Sequence, residues 1–464
     1  MYVEQIYTNC LAEAAYYVES EGEALIIDPI RETQPYIEKA NERGAKIKYV
    51  LETHFHADFV SGHVDLAKKT NSTIIYGPGA QTDYDIHVAF DGEEFELGNI
   101  KIKALHTPGH TLESTTYLLI DENAKPYAIF TGDTLFIGDV GRPDLAIKSD
   151  LTEKDLAGML YDSLRQKIMT LPDEVIVYPA HGAGSACGKN MSKEKYDTLG
   201  NQKKLNYALQ DISKEKFVEQ LTSGILAAPQ YFEKNAMINK NGYDSLDVIV
   251  EKSLRALSLS EFEALNNENA LVLDVRSIKE FPKAFVPGSV YVGLDGMFAT
   301  WVGTILTDIK QPILLIVPEG REEEAIIRLA RVGYENVIGY LKGGFETWAN
   351  SENSTDCIEE VDSEELYQMS QKERINIMDV RKPGEYDSAH IVKAEHYPLD
   401  FMHEGLPDID KSPKYFVHCR SGYRSLIAAT LLKRGGFSSP VNVKGGFIAL
   451  EKTNFEMMTQ QCSG

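Results

Sequence analysis

Thr53-His54-Phe55-His56-Ala57-Asp58-Phe59 closes an apolar run that begins at residue 47. Three further segments have the same layout: Thr107-Pro108-Gly109-His110, Thr131-Gly132-Asp133 and Tyr178-Pro179-Ala180-His181. Each lies at the end of a strand-like stretch. Such stretches occur at 24–28, 47–53, 73–76, 100–105, 115–120, 127–132 and 174–178, and they alternate with helical and loop segments. Loops leaving the carboxyl ends of neighbouring strands converge in space, so ligands far apart in sequence can meet at one point. Imidazole and carboxylate meeting in this way form a site for a divalent transition metal. Of the eleven histidines, seven lie at or before position 181 and none lies between 182 and 389. A lone histidine would ordinarily be a surface or core residue. Four ligand-bearing strand ends, one spaced H-x-H-x-D, point instead to a metal centre.

From about 190 to 250 the chain is rich in Lys, Glu, Leu and Gln, which reads as helices closing the first domain. An internal repeat follows. Leu271-Val272-Leu273-Asp274-Val275-Arg276 is echoed by Asn376-Ile377-Met378-Asp379-Val380-Arg381, and Leu341-Lys342-Gly343-Gly344-Phe345 by Val443-Lys444-Gly445-Gly446-Phe447. The offsets, 379 − 274 = 105 and 444 − 342 = 102, are too long for a solenoid and mean two copies of one small domain. In each copy apolar runs (312–318 and 414–419 in mid-domain) alternate with helix-period segments, the pattern of a parallel α/β sheet. A polar stretch, Asn350-Ser351-Glu352-Asn353-Ser354-Thr355-Asp356, separates the copies. The expected domains are 1–250, 251–355 and 356–464. The total of 464 residues agrees with roughly three domains at about 150 residues each.

Composition narrows the function. Lys and Arg number 47 against 70 Asp and Glu, a net charge of −23. A chain this acidic repels phosphate backbones and anionic lipid, so nucleic-acid and membrane-surface roles are not expected. Small molecules or proteins are the expected partners. No apolar run approaches the roughly 20 residues that span a bilayer, and the first residues lack the look of a signal peptide. Five cysteines, at 10, 187, 357, 419 and 462, are too sparse for a disulfide framework. A reducing cytoplasm is the expected compartment.

Two of these thiols stand out. Cys419-Arg420-Ser421-Gly422-Tyr423-Arg424-Ser425 follows an apolar strand and opens a helix. Backbone N–H groups, a helix N-terminus and the charges of Arg420 and Arg424 together stabilise a thiolate or persulfide anion. The second domain has Val317-Pro318-Glu319-Gly320-Arg321-Glu322-Glu323-Glu324 here, with no cysteine and four glutamates that oppose an anionic substrate. Cys187, in a Gly- and Ser-containing loop after His181, is either a sulfur-handling thiol at the mouth of the metal site or an inert small residue.

The H-x-H-x-D, Thr-Pro-Gly-His, Gly-Asp and Pro-Ala-His segments resemble the metallo-β-lactamase superfamily. That resemblance implies an αβ/βα sandwich with a metal at one sheet edge. Dinuclear zinc hydrolases of the superfamily, glyoxalase II among them, have His directly after the first-motif Asp. This chain has Phe59, which cannot ligate, so the second subsite loses a ligand. Gly141-Arg142-Pro143-Asp144 resembles the persulfide dioxygenase branch, which implies one Fe(II) per chain on His54, His110 and Asp133. Such a two-His-one-carboxylate face leaves open positions for a persulfide and O2. His56, Asp58 and His181 then orient ligands, organise water or form an alternative metal site. Arg142 either anchors an anionic group of the thiol carrier or forms an ordinary salt bridge.

Both C-terminal copies resemble rhodanese domains, through Asp-Val-Arg, Glu385-Tyr386, His390-Ile391 and Lys-Gly-Gly-Phe; Ala389 stands where Gly is usual. This resemblance makes Cys419 the sulfur-carrying nucleophile and Arg424 a substrate-anion contact, and it makes the middle copy inactive. The whole chain therefore resembles a persulfide dioxygenase fused to an inactive and an active rhodanese domain. The expected activity is oxidation of a low-molecular-weight thiol persulfide to sulfite, coupled to sulfane-sulfur transfer involving thiosulfate, in a possible homo-oligomer. The alternative is a zinc thioester hydrolase of the glyoxalase II type, and a non-enzymatic sulfur relay is a third possibility.

Overall fold

A computed structural model describes residues 1–145, 151–225 and 228–459. The chain forms two compact units, Met1–Val248 with Ala330–Gly333, and Ile249–Leu329 with Tyr334–Gly464. Cys462 lies outside the described residues.

The first unit is built on two six-stranded sheets. One runs in the order Tyr2–Thr8, Glu13–Ser20, Glu23–Ile27, Lys46–Leu51, Thr73–Tyr76, His87–Val88. The other runs Asp197–Thr198, Ile176–Pro179, Pro126–Gly132, Thr115–Ile120, Ile100–His106, Glu94–Leu97. Strand side chains alternate between faces, so residues two apart share one face. Ala14, Tyr16 and Val18, with Leu25 and Ile27, therefore meet Ile100, Ile102 and Ala104, with Tyr117, Leu119 and Phe130, in the core between the sheets. The opposite face of the second sheet offers Leu105, Leu118, Ile129 and Val177 to helices Glu153–Ser163 and Lys214–Thr222. Helix His63–Thr70 rests on Lys46–Leu51 and Thr73–Tyr76 of the first sheet. This is the helix–sheet–sheet–helix layering expected.

Strand-like stretches in the sequence agree with the observed strands to within a few residues. The opening hairpin, Tyr2–Thr8 with Glu13–Ser20, is not among those stretches. Every residue of its first strand is half-buried, so no alternation marks it.

The second unit holds two parallel five-stranded sheets of one topology. They run Ala256–Leu257, Val337–Leu341, Ile313–Ile316, Leu271–Asp274, Val290–Tyr291 and Glu359–Val361, Ser439–Val443, Lys414–His418, Asn376–Asp379, Glu395–His396. Leu271–Asp274 and Ile313–Ile316 are buried throughout, as strands covered on both faces must be, hence their unbroken apolar runs. Ala389 is extended, at φ −164°, a conformation open to any residue, so nothing there requires glycine.

Candidate metal centre and thiol loop

The four ligand-bearing segments leave Lys46–Leu51 of one sheet and Ile100–His106, Pro126–Gly132 and Ile176–Pro179 of the other. Their side chains meet. His54, His110 and Asp133 form one buried group and His56, Asp58 and His181 another, with the ligand atoms of each within 4.8 Å of one another. Asp133 joins the two. Its Oδ2 lies 3.3 Å from His110 Nε2 and 3.9 Å from His54 Nε2, and its Oδ1 lies 3.6 Å from His181 Nε2. His181 Nε2 is also 3.5 Å from Asp58 Oδ2.

Hydrogen bonds fix which nitrogen of each ring faces inward. Thr53 donates its only hydroxyl proton to Asp28 Oδ2 (2.8 Å). Thr53 Oγ1, 3.0 Å from His54 Nδ1, must then accept from Nδ1–H, which leaves Nε2 as the free lone pair. His110 Nδ1–H donates to the Arg142 carbonyl (2.8 Å), and His181 Nδ1–H faces the Ala12 carbonyl (3.3 Å). All three rings thus commit Nδ1–H to these partners and turn Nε2 inward, the orientation a metal ligand requires.

The centre is also rich in carboxylates. Glu13, Asp28, Glu52, Asp58 and Asp133 are all buried. Both oxygens of Asp133, Asp58 Oδ1 and His181 Nε2 have no hydrogen-bond partner among the described residues. Burial resists a charge on His56, but Asp28, whose Oδ1 is 3.1 Å from Nε2, and Glu52 outweigh it and push its pKa up to about 10. Burial, followed by its imidazole neighbours, holds His54 well below the usual range. Buried carboxylates with unpartnered oxygens, and imidazoles that turn Nε2 toward them, fit a divalent cation.

Phe59, fully buried, lies against the His56 ring at 4.4 Å between centroids. Hydrocarbon therefore stands beside His56. Arg142 is buried, and its guanidinium forks Asp144 (Nε–Oδ1 and Nη2–Oδ2, both 2.6 Å). The ordinary salt bridge is formed, and Arg142 reaches the centre through its carbonyl on His110. Cys187 is buried rather than at an open mouth, and its sulfur shares a cluster with Asp133 and His181. Burial, reinforced by Asp58 and Asp133, pushes its thiol up, so it is held as a neutral thiol.

Sequence reasoning missed the carboxylates behind the ligands. Asp28 and Glu52 each directly follow an apolar strand, Glu23–Ile27 and Lys46–Leu51, a signal that could have found them. Glu13 opens a strand and carries no such mark.

In the second unit Cys419 is buried, its Sγ accepts from the Gly422 N–H (3.2 Å), and the Ser425 hydroxyl lies 3.6 Å from it. The Lys-Gly-Gly-Phe segment closes over this loop. A Cβ on Gly446 would lie 2.4 Å from the Cys419 carbonyl oxygen, so only glycine fits. Arg420 is exposed. Arg424 is held by a bidentate pair to Glu385 (2.6 and 2.8 Å). In the middle copy Val275 N–H donates to the Ile316 carbonyl, as Val380 N–H does to His418. That register puts Val317 at the place of Cys419, Gly320 at that of Gly422 and Glu322 at that of Arg424. Trp301 and Trp348 are both buried.

The metallo-beta-lactamase superfamily profile matches residues 8–181, and the rhodanese-like domain profile matches 258–351 and 362–453. The mitochondrial persulfide dioxygenase ETHE1 of Bos taurus is 33% identical over 215 residues, 46% of this chain and 76% of that protein. A probable hydroxyacylglutathione hydrolase of Schizosaccharomyces pombe is 32% identical over 166 residues, 35% of this chain and 60% of that protein. A crystal structure of a metallo-beta-lactamase from Staphylococcus aureus superposes with a TM-score of 0.65 at 33% identity, covering 74% of this chain and 98% of that one. The chain belongs to the metallo-beta-lactamase superfamily, and its C-terminal half carries two rhodanese-like domains. Among the described residues no helix is long and apolar enough to cross a membrane.

Proposed function

We propose that this chain is a persulfide dioxygenase joined to a sulfurtransferase, in three domains at 1–250, 251–355 and 356–464. The observation that carries it is the His54–His110–Asp133 group, with Phe59 denying the neighbouring subsite a further ligand. These three residues would hold one ferrous ion, which when bound supplies the O2-activating chemistry and open positions for a persulfide sulfur. The chain does the rest. Thr53 and the Arg142 carbonyl keep Nε2 of His54 and His110 pointed inward. Asp58 and His181 organise the water that the reaction consumes. The net change is RSSH + O2 + H2O giving RSH, sulfite and two protons.

In the third domain Cys419 would carry a sulfane sulfur as a persulfide anion, stabilised by the Gly422 N–H and the helix N-terminus. Attack of sulfite on that outer sulfur forms the S–S bond of thiosulfate, breaks the bond to Cys419 and returns its thiolate. Covalent linkage of the two activities raises the effective concentration of sulfite near its acceptor.

The persulfide dioxygenase named above supports this reading. The His56–Asp58–His181 group and the hydroxyacylglutathione hydrolase relative favour a second one, a zinc thioester hydrolase with an appended sulfurtransferase. Metal analysis with O2 uptake separates the two. Protein made with iron available should bind about one iron per chain, and Asp133→Ala should lose both metal and O2 uptake. Two zinc ions per chain, with thioester cleavage, would establish the second reading.

A further inference from the structure

The helix that opens at the thiol loop, Tyr423–Arg434, is buried around most of its girth. One part of it packs on its own strands, Lys414–His418 and Ser439–Val443. Another belongs to the copy that lacks a nucleophile. Residues 423, 430 and 434 lie at i, i+7 and i+11, on one helix face. Each meets the middle copy. The Tyr423 hydroxyl donates to the Gly293 carbonyl (2.8 Å), Tyr291 N–H donates to Thr430 Oγ1 (3.3 Å), and Arg434 donates to the Gly288 carbonyl. The Tyr423 ring is edge-on to Tyr291 at 6.1 Å. It fills the 293–297 turn so closely that a Cβ on Gly296 would lie 2.5 Å from its Cζ.

Tyr423 directly follows Gly422, whose N–H donates to the Cys419 sulfur. Gly422 is in the left-handed region, at φ 103°. Pinning Tyr423 therefore restrains, through Gly422, the Ser421–Gly422 peptide whose N–H faces the nucleophile. The arrangement is not reciprocal. Arg321 stands at the corresponding place in the middle copy and is tied within that copy by Asp295 and Glu324 (both 2.7 Å).

We infer that the nucleophile-less copy is a positioning element for the sulfur-transfer loop, acting through Tyr423 seated in the Gly293–Gly296 socket. This rests on Cys419 being the sulfur carrier. Tyr423 touches no reacting atom and is a positioning residue. Displacing it swings the Gly422 N–H away from sulfur, so the anion loses a donor and forms at higher pH.

Gly296→Ala pushes on Tyr423 from the other copy without altering the loop sequence. In the full-length protein the pH dependence of Cys419 alkylation by iodoacetamide, read on its own peptide by mass spectrometry, should move up by about one unit. The kcat for sulfur transfer from thiosulfate to cyanide should fall about tenfold with KM changed less than twofold, while O2 uptake stays at its starting level. Tyr423→Phe keeps the ring, loses only the hydroxyl, and should give a smaller shift in the same direction. It decides the matter should Gly296→Ala not fold. Unchanged alkylation profiles in the folded variants would overturn the inference. If the unmodified protein transfers no sulfur, the carrier reading falls, and the alkylation profile still tests the positioning.

Discussion

The two rhodanese-like copies share their scaffold down to single contacts. Arg276 forks Asp274, donates to the Ala284 carbonyl (2.8 Å) and lies 3.9 Å from the Phe345 ring centre. Arg381 repeats this on Asp379, on the Ala389 carbonyl (2.8 Å) and over Phe447 (3.8 Å). The copies differ at the loop that carries the thiol, where Val317 and Glu322 of the middle domain stand at the places of Cys419 and Arg424. Ile316 likewise stands where His418 lies 3.6 Å from Asp379. The motifs that made the repeat visible are thus framework: a charge pair tucked under an aromatic ring and a double glycine closing on the next loop. The proposed sulfur chemistry falls in the segment that does not repeat.

The largest effect should come from Cys419→Ser. Loss of the nucleophile should lower sulfur transfer by at least about 10³-fold. O2 consumption should persist while the product shifts from thiosulfate to sulfite, as quantifying both anions after aerobic turnover would reveal. An unchanged thiosulfate yield would mean that thiosulfate forms in solution or through another thiol such as Cys187, and would remove the functional contrast drawn between the copies.

Installing a thiol in the middle copy tests the same contrast from the other side. Val317→Cys added to Cys419→Ser should leave sulfur transfer at the single-variant level. Glu322 replaces the arginine, and the acidic run Glu322–Glu324 repels an anion. Recovery of even a tenth of the original rate would show that register alone makes the site.

The framework role predicts symmetry. Arg276→Ala and Arg381→Ala each strand a buried aspartate and should each cost about 3 kcal/mol, seen as similar shifts of the urea transition of the C-terminal half. A loss of sulfur transfer in Arg381→Ala without a matching loss of stability would break the equivalence.

The smallest effect concerns the Arg424–Glu385 pair. Burial pushes the Glu385 carboxyl up, but Arg424 outweighs it and holds the pKa below the ordinary 4.5. A depressed folded value means stability present above 4.5 and lost as pH falls through the lowered value. Glu385→Gln should flatten the fall in unfolding midpoint on acidification, and high salt should do so partly in the unmodified protein. An unaltered acid profile in Glu385→Gln would show that the pair contributes nothing.

Much of the metal centre was legible before any fold was known. His54, His110 and Asp133, with His56, Asp58 and His181, each sit at a strand end with recognisable spacing, and the fold gathers all six. Less legible were residues whose part depends on what lies across a gap. Arg142 read either as an anchor or as an ordinary salt bridge, and its guanidinium meets Asp144, two residues on. Cys187 read either as a thiol at the mouth or as an inert small residue, and the structure buries it. Glu13 carries no sequence signal at all, since burial of a carboxylate is a property of its neighbours.

Local chemistry and spacing were enough to specify the ligand types, the repeat and the one thiol set at a helix N-terminus, because strand ends, helix starts and nucleophiles are written in consecutive residues. Tertiary structure alone decided which nitrogen each imidazole turns inward, since Thr53, Ala12 and Arg142 reach those rings through packing. It also decided what the middle copy touches. The Gly293–Gly296 turn and Tyr423 lie about 130 residues apart, and only the packing of one copy's edge strand against the other's helix brings them together.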